Sequence, residues 1–183
     1  MNEPNYLDAI ERMKKDHVNE LVIELVRVQW VYGLRISDLL KIHPANITKN
    51  LTCVIEQSKN SRPLSISLAI NTEFWTNYRT GAQRLAGELN RWFFYRLYER
   101  YGLIIYNGEG SNNSVTHAGR KSLAREIYEQ TGDAKDVTAA LGHKSERTAW
   151  YYLKKSRLGT RAEGGVLSNQ LSEGDVLRYR KVW

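Results

Sequence analysis

Apolar residues near the start of the chain recur at helical spacing, from about Tyr6 to Val31. Gly33 is placed to end this predicted helix, because glycine readily adopts the left-handed conformation that closes many helices. Ser37 then offers a side-chain cap for a short helix that extends through Ile42 and is stopped by the proline at position 44. The opening of the chain is therefore predicted to be helical, with one long helix followed by one short helix.

The pattern of apolar positions changes from helical to extended after residue 50. Residues 51–57 are rich in strand-forming types, and residues 63–68 alternate apolar and polar side chains, so the two segments predict a hairpin with a short polar turn. A helical pattern resumes from about Thr72 to Tyr101, and its aromatic residues are expected to pack in the core rather than to stack on bases. These residues are Trp75, Tyr78, Trp92, Phe93, Phe94, Tyr95 and Tyr98.

Glycines and capping residues mark the limits of the later helices. A glycine- and asparagine-rich loop at 106–113 precedes a helix predicted from about Val115 to Gln130, which Gly132 ends. Asp133 can cap the next helix, and a further helix is predicted from a cap at Ser145 through Lys155. The pattern as a whole predicts an α+β fold that is mainly helical and carries a small antiparallel sheet.

Composition narrows the class of protein. The chain has 183 residues, of which 42% are hydrophobic and 26% charged, and this suits one compact soluble domain. The single cysteine, Cys53, excludes an intrachain disulfide and a metal site built on several cysteines, and it fits a reducing cytosol. No apolar run approaches the ~18 residues that a membrane-spanning helix needs. The net charge of +7 favours a polyanionic partner, nucleic acid first.

Three short clusters contain residue types that phosphate chemistry requires. They are Tyr32–Leu40 with Arg35, Thr116–Lys121 with His117 and Arg120, and Leu141–Tyr152 with His143. Taken singly, each has an ordinary explanation: an exposed arginine, a solvated pair on one helix face, or a tyrosine-rich core helix. Their order and spacing carry more information than any one of them.

The clusters together resemble the motifs of the tyrosine recombinase, or phage integrase, family over about residues 7–155. The first has the form Gly-Leu-Arg-x-Ser-(Glu/Asp)-Leu, the second is His-x-x-Arg at a helix start, and the third is Leu-Gly-His, with the nucleophilic tyrosine nine residues after the histidine. The hairpin segment Glu56–Lys59 resembles the setting of the catalytic lysine in lambdoid phage integrases. The resemblance implies six catalytic residues: Arg35, Lys59, His117, Arg120, His143 and Tyr152.

DNA cleavage chemistry explains why such residues are needed. Attack on a phosphodiester adds negative charge to the phosphorus oxygens, and two guanidinium groups can hold that charge. A free tyrosine has a pKa of ~10, so a histidine that accepts its proton and nearby positive charge lower the cost of its anion. Lys59 is the expected general acid for the leaving 5′-oxygen. The resemblance thus implies strand cleavage and rejoining through a 3′-phosphotyrosyl intermediate, with no metal, ATP or other cofactor.

Some residues fit the family pattern less closely. The second motif commonly reads His-x-Leu-Arg, and here Gly119 stands before the arginine. Tyr151 is a neighbouring candidate for the nucleophile, although the spacing from the motif histidine favours Tyr152. Asp38 is the acidic partner of the first motif and is expected to orient a catalytic group. The remaining histidines, His17 and His43, match no motif and are expected at the surface.

The resemblance also implies partners and organisation. We expect double-stranded DNA as the partner and a homotetramer on recombination-site DNA. The expected location is the cytoplasm of a cell that hosts a phage, plasmid or other mobile element. No membrane association is expected. Residues 1–156 are expected to form the catalytic domain, and no N-terminal core-binding domain is expected unless the chain is a piece of a longer protein. The tail 157–183 is expected either to contact a neighbouring protomer or to lie as a flap on its own domain. The alternatives are a catalytically silent DNA-binding regulator and a topoisomerase IB-like or telomere-resolving enzyme.

Overall fold

The computed structural model of the chain describes residues 6–59, 61, 63–81, 89–103 and 117–153. Within these residues the fold is mainly helical with a small two-stranded antiparallel sheet, as predicted. The elements in chain order are α1 (Tyr6–Lys15), α2 (Glu20–Tyr32), α3 (Ile36–Leu39), β1 (Thr52–Glu56), β2 (Pro63–Ser67), α4 (Thr72–Arg79), α5 (Arg91–Tyr101), α6 (Ala118–Thr131), α7 (Ala134–Ala140) and α8 (Glu146–Leu153). Short 3-10 turns lie at Pro44–Asn46 and Ala69–Asn71.

The first predicted helix is two helices. α1 ends at Lys15, and His17 takes a left-handed conformation with φ of 54°. The side chain of Asn19 then accepts a hydrogen bond from the amide of Leu21 at 2.9 Å and caps α2. The prediction of one continuous helix was wrong because apolar spacing continues across the break, and no glycine or proline marks it.

The turn after α2 is where prediction and structure agree best. Gly33 adopts φ of 58° and donates its amide to the carbonyl of Gln29, which confirms it as the residue that ends α2.

The predicted cap of α3 was wrong, because Arg35 occupies the cap position and Ser37 lies inside the helix. Pro44 does not simply stop a helix but begins a 3-10 turn, whose cap is the side chain of His43.

The hairpin forms as predicted. β1 and β2 pair antiparallel, with Cys53 opposite Ile66. Cys53, Ile55 and Ile66 are buried, whereas Val54 is exposed, so alternation along the strands selects the inner face. The hydroxyl of Tyr32, at the end of α2, donates to the carbonyl of Ser67 at 2.7 Å and accepts from its amide at 3.1 Å. The hairpin is thereby fixed against the helix that leads into the first motif.

The predicted helical stretch from Thr72 to Tyr101 contains two helices, and residues 82–88 lie outside the described part of the chain. Asparagine side chains begin both helices, Asn71 for α4 and Asn90 for α5. Most of the aromatic side chains pack in the core as predicted, and Trp92 is the exception. It is 62% exposed and stacks on Tyr95 with ring centroids 5.1 Å apart.

The limits of the later helices agree with their glycines and caps. Gly132 ends α6 with φ of 70°, and the side chain of Asp133 accepts from the amide of Lys135 to begin α7. α8 begins at Glu146, directly after the predicted cap Ser145. The predicted loop at 106–113, the hairpin-turn residues 60 and 62, and the chain after residue 153 lie outside the described residues.

Two groups of buried side chains form the core, and a close helix contact joins them. One group lies among α1, α2, the hairpin, α4 and α5, and the other lies among α6, α7 and α8. α6 packs against α2 at Gly119, where an added Cβ would lie 3.0 Å from the Cα of Trp30 and 3.3 Å from the carbonyl oxygen of Gln29. A side chain at position 119 would meet the α2 backbone in tight contact, so the close approach of the two helices favours glycine there.

We predict that Gly119→Ala lowers the free energy of unfolding. Alanine improves helix propensity by ~1 kcal/mol, but a methyl group against the Trp30 backbone forces the two helices apart, which typically costs ~1–3 kcal/mol. We expect a net loss on the order of 1 kcal/mol in urea unfolding. Gln130→Ala, at an exposed position of the same helix, is the control. Equal or higher stability of Gly119→Ala would show that the contact relaxes freely.

Candidate functional site

Arg35 and Asp38 stand on one face of the short helix α3. Arg35 follows the left-handed turn at Gly33, and its Nη1 lies 3.6 Å from Oδ2 of Asp38. The Asp38 side chain is buried, and its Oδ1 accepts a hydrogen bond from the amide of Ser58 at 2.7 Å. Asp38 therefore connects the arginine of the first motif to the end of the hairpin, beside Lys59. This contact agrees with the orienting role expected of Asp38.

A buried polar chain supports the turn before Arg35. The hydroxyl of Tyr98 in α5 donates to the side-chain oxygen of Gln29, and the Gln29 amide donates to the carbonyl of Leu34 at 3.1 Å. Both side chains are fully buried, so loss of either partner leaves a polar group without a hydrogen bond in the core. Neither residue belongs to a sequence motif, because a contact between distant helices leaves no local pattern.

Arg120 lies one helical turn after the start of the second motif and is buried. Its Nη1 donates to the carbonyl of Gly33 at 2.8 Å, and its Nη2 donates to the carbonyl of Leu141. Burial, and secondarily the nearby Arg35, lowers the pKa of Arg120 to about 10, so the group remains charged at neutral pH. The negative charge of an ionised Tyr152 acts in the opposite direction and stabilises the charged guanidinium.

His117 and Tyr152 face each other across the site. Nδ1 of His117, at the start of α6, lies 3.1 Å from the hydroxyl of Tyr152 in α8, and the two rings are nearly parallel. Burial, followed by the charges of Arg120 and Arg35, lowers the pKa of His117 to about 4. His117 is therefore neutral at pH 7, and a neutral imidazole nitrogen can accept a proton.

His143 packs against the same tyrosine. Its ring stacks on Tyr152 with centroids 5.2 Å apart and an interplanar angle of 18°. Within the described residues neither ring nitrogen of His143 has a hydrogen-bond partner, although the residue is only 9% exposed. Burial, then Arg120 and Arg35, lowers its pKa to about 3. Because neither nitrogen of this buried ring is used, His143 can donate a hydrogen bond to an anion or accept a proton.

Lys59 lies at the exposed end of the hairpin. It follows Ser58, whose amide is held by Asp38, and its charge contributes to the lowered pKa of His143. The charge of Arg91, at the start of α5, likewise contributes to the lowered pKa of His117, so Arg91 also lies near the site. Arg91 was not predicted, because its charge acts on the distant His117 only in the folded chain.

The structure thus brings five of the six predicted residues into one connected group and places the sixth at its margin. Arg35 and Arg120 share the Gly33 turn, the two histidines flank Tyr152, and Lys59 approaches from the hairpin. Their catalytic roles remain predictions. Among the described residues no three His, Cys, Asp or Glu side chains are grouped so that they could hold a metal ion. None of the described helices has the length and apolarity needed to cross a membrane.

We predict that the two motif histidines make stability fall in acid. Their pKa values are about 4 and about 3 in the folded chain, against an ordinary 6.5, so the unfolded chain binds protons more tightly. Above pH 6.5 both histidines are neutral in the folded and the unfolded chain, so they do not lower the free energy of unfolding. As the pH falls from 6.5 toward 4, they lower it progressively. We expect His143→Gln to reduce the loss between pH 7 and 4.5, measured by urea unfolding, by on the order of 1–2 kcal/mol.

His17→Gln changes an exposed histidine and should keep the wild-type pH dependence. Identical acid dependence in wild type and His143→Gln would show that His143 ionises normally in the folded chain.

Comparison with known proteins gives a family match and similar solved structures. The model of the phage integrase family matches residues 2–157. A solved structure of the XerH site-specific recombinase, bound to a palindromic difH substrate in a post-cleavage complex, aligns with 86% of this chain and 50% of its own, at 20% identity and a TM-score of 0.57. A second, pre-cleavage XerH complex with difH aligns with 84% of this chain and 49% of its own, at 19% identity and a TM-score of 0.54.

The chain spans about half the length of these solved chains. No curated protein sequence gave a significant match. The family match covers most of the chain, and the structural matches show the same fold. The chain therefore belongs to the phage integrase, or tyrosine recombinase, family, and its fold is that of the family's catalytic domain.

Proposed function

We propose that this protein is a site-specific recombinase that cleaves and rejoins DNA strands through a covalent bond between Tyr152 and a 3′-phosphate. The observation that carries the proposal is the environment of the tyrosine hydroxyl. It lies 3.1 Å from a neutral histidine nitrogen and beside the buried charge of Arg120. A hydroxyl nucleophile needs a proton acceptor and a positive field, and Tyr152 has both.

The scissile phosphate binds between Arg35 and Arg120. Nη1 of Arg35 and Nε of Arg120 are buried and make no hydrogen bond among the described residues, although Oδ2 of Asp38 lies 3.6 Å from the former. The ring nitrogens of His143 are unused in the same way and can donate once the ring is protonated or takes the matching tautomer. These donors are fixed before the substrate arrives, which is the arrangement that stabilises charge in a transition state.

Cleavage exchanges one phosphodiester for another. His117 accepts the proton of Tyr152 as the tyrosine oxygen attacks phosphorus, and the bond from phosphorus to the 5′-oxygen breaks. Lys59 donates a proton to the leaving 5′-oxygen, which departs as a hydroxyl group. A 5′-hydroxyl from another strand then attacks the phosphotyrosine, reverses each proton transfer and frees Tyr152. Because the tyrosyl ester stores the energy of the broken bond, the cycle needs no ATP.

The partner in this proposal is double-stranded DNA. The chain carries a net charge of +7, and the exposed side chains Arg91, Trp92 and Arg96 lie at the start of α5, where Arg91 faces the site. We infer that this part of α5 contacts DNA next to the scissile phosphate.

A homo-oligomer on DNA is also proposed, with contact between protomers through the tail after residue 156.

We predict that Tyr152→Phe abolishes covalent capture of DNA while folding and DNA binding survive, because the change removes only the hydroxyl. The substrate is a pool of duplexes of randomised sequence, each with a nick a few nucleotides past the position to be cleaved. The short strand with a free 5′-hydroxyl diffuses away, and the trapped complex is detected on a denaturing gel. Sequencing the trapped DNA then identifies a preferred duplex for later tests.

Tyr151→Phe is the matched control and should retain the covalent band. The opposite result would place the nucleophile at Tyr151. A wild-type protein that binds the pool but forms no covalent band would support the catalytically silent regulator instead.

DNA binding should be dominated by phosphate contacts and should weaken steeply with salt. We expect a dissociation constant of ~10⁻⁴ to 10⁻⁶ M on unselected duplex DNA at physiological salt. We predict that Arg91→Ala reduces the slope of log affinity against log salt by ~1, because one phosphate contact is lost. Arg100→Ala removes the same charge from the other end of α5, where Arg100 pairs with Asp16, and should leave the slope unchanged. Equal slopes for wild type and Arg91→Ala would exclude this contact.

A further inference from the structure

Gln57 is a buried polar residue between two parts of the site. It follows β1 and is only 8% exposed, whereas the next residues, Ser58 and Lys59, are exposed. Its side-chain amide lies against Gly142, where an added Cβ would be 3.4 Å from Nε2 and 3.5 Å from Oε1 of Gln57. The hairpin therefore contacts the turn that presents His143, and this contact passes through one side chain.

The backbone of Gln57 also shapes the turn that carries Lys59. Its carbonyl accepts a hydrogen bond from the amide of Ser61 at 3.0 Å, which closes a loop around Lys59. Within this loop the amide of Ser58 donates to Asp38 at 2.7 Å. The residues before Lys59 are thus tied to two parts of the site, Ser58 to α3 through Asp38 and Gln57 to the turn before His143.

The backbone conformation explains why a glycine stands before His143. Gly142 has φ of 60°, which favours glycine, and an added Cβ there would lie in van der Waals contact with the Gln57 amide. An exposed lysine has many rotamers and loses conformational entropy when it is held at one place. If the loop that bears Lys59 is anchored in advance, less conformational entropy is lost when the lysine approaches a 5′-oxygen.

We propose that Gln57 is a positioning residue that holds the Lys59 loop against the Gly142–His143 turn, so that the general acid is aligned with the leaving group. This inference rests on the proposed function. Gln57 does not contact the reacting atoms itself, and its effect should appear only in the step that Lys59 serves. A residue that merely stabilises the fold would instead affect every step.

The test compares two leaving groups on the preferred nicked duplex. One substrate has the normal 5′-oxygen, which needs a proton to depart, and the other has sulfur at the same bridging position. A thiol has a pKa of ~8.5, far below that of an alcohol, so a thiolate departs without a general acid. We expect Gln57→Ala to cleave the oxygen substrate at least ~10-fold more slowly than wild type, and to cleave the sulfur substrate at nearly the wild-type rate.

Lys59→Ala should show the same selective loss, and Tyr152→Phe should cleave neither substrate. Val54→Ala, an exposed change on the outer face of β1, is the control for the hairpin and should retain both rates. If Gln57→Ala does not fold, as judged by its melting curve, Gln57→Asn serves the same comparison because it withdraws the amide from Gly142 without removing it.

Wild-type rates with both substrates, or an equal loss with both, would overturn the proposal for Gln57. A wild-type protein that traps no duplex from the randomised pool would overturn the proposed function instead. The two failures are therefore distinguishable, because the first appears in the comparison of leaving groups and the second in the earlier capture of DNA.

Discussion

The site depends on the burial of one guanidinium group. Arg120 is 4% exposed, and the cost of removing its charge from water is offset by hydrogen bonds to two backbone carbonyls, those of Gly33 and Leu141. These carbonyls belong to the turns that lead to Arg35 and to His143. One side chain therefore fixes the relative positions of three motifs that are distant in the sequence, and it keeps its Nε for a further partner.

Arg120 can make these contacts only because α6 approaches α2 closely. Gly119 removes the side chain that would otherwise separate the helices, and Gly33 meets α6 in the same region, where its added Cβ would lie 3.4 Å from the Cα of Arg120. The polar chain from Tyr98 through Gln29 reaches the same turn from α5. A small shift of one helix would alter the distance between the two arginines, and phosphate catalysis is sensitive to such shifts.

The sequence predicted the hairpin, the Gly33 turn and the later caps, because each has a local signal. Motif order indicated the residues that the fold brings together, although it could not show that the rings of both His117 and His143 lie beside Tyr152. The break between α1 and α2 was missed because apolar spacing continues across it, although Asn19, a typical N-cap residue, marks the start of α2. The contact of Gln57 with Gly142 was invisible in the sequence because it joins elements far apart in the chain.

The arginines of the site help to keep its histidines neutral. Burial disfavours protonation of both imidazoles most strongly, and the charges of Arg120 and Arg35 add to the effect. A bound phosphate diester would bring negative charge between the arginines and raise both pKa values. In the proposed reaction, His117 would then accept a proton most readily when the phosphate is present, which is when Tyr152 would lose one. In this way the charge of the substrate would complete the activation of its own nucleophile.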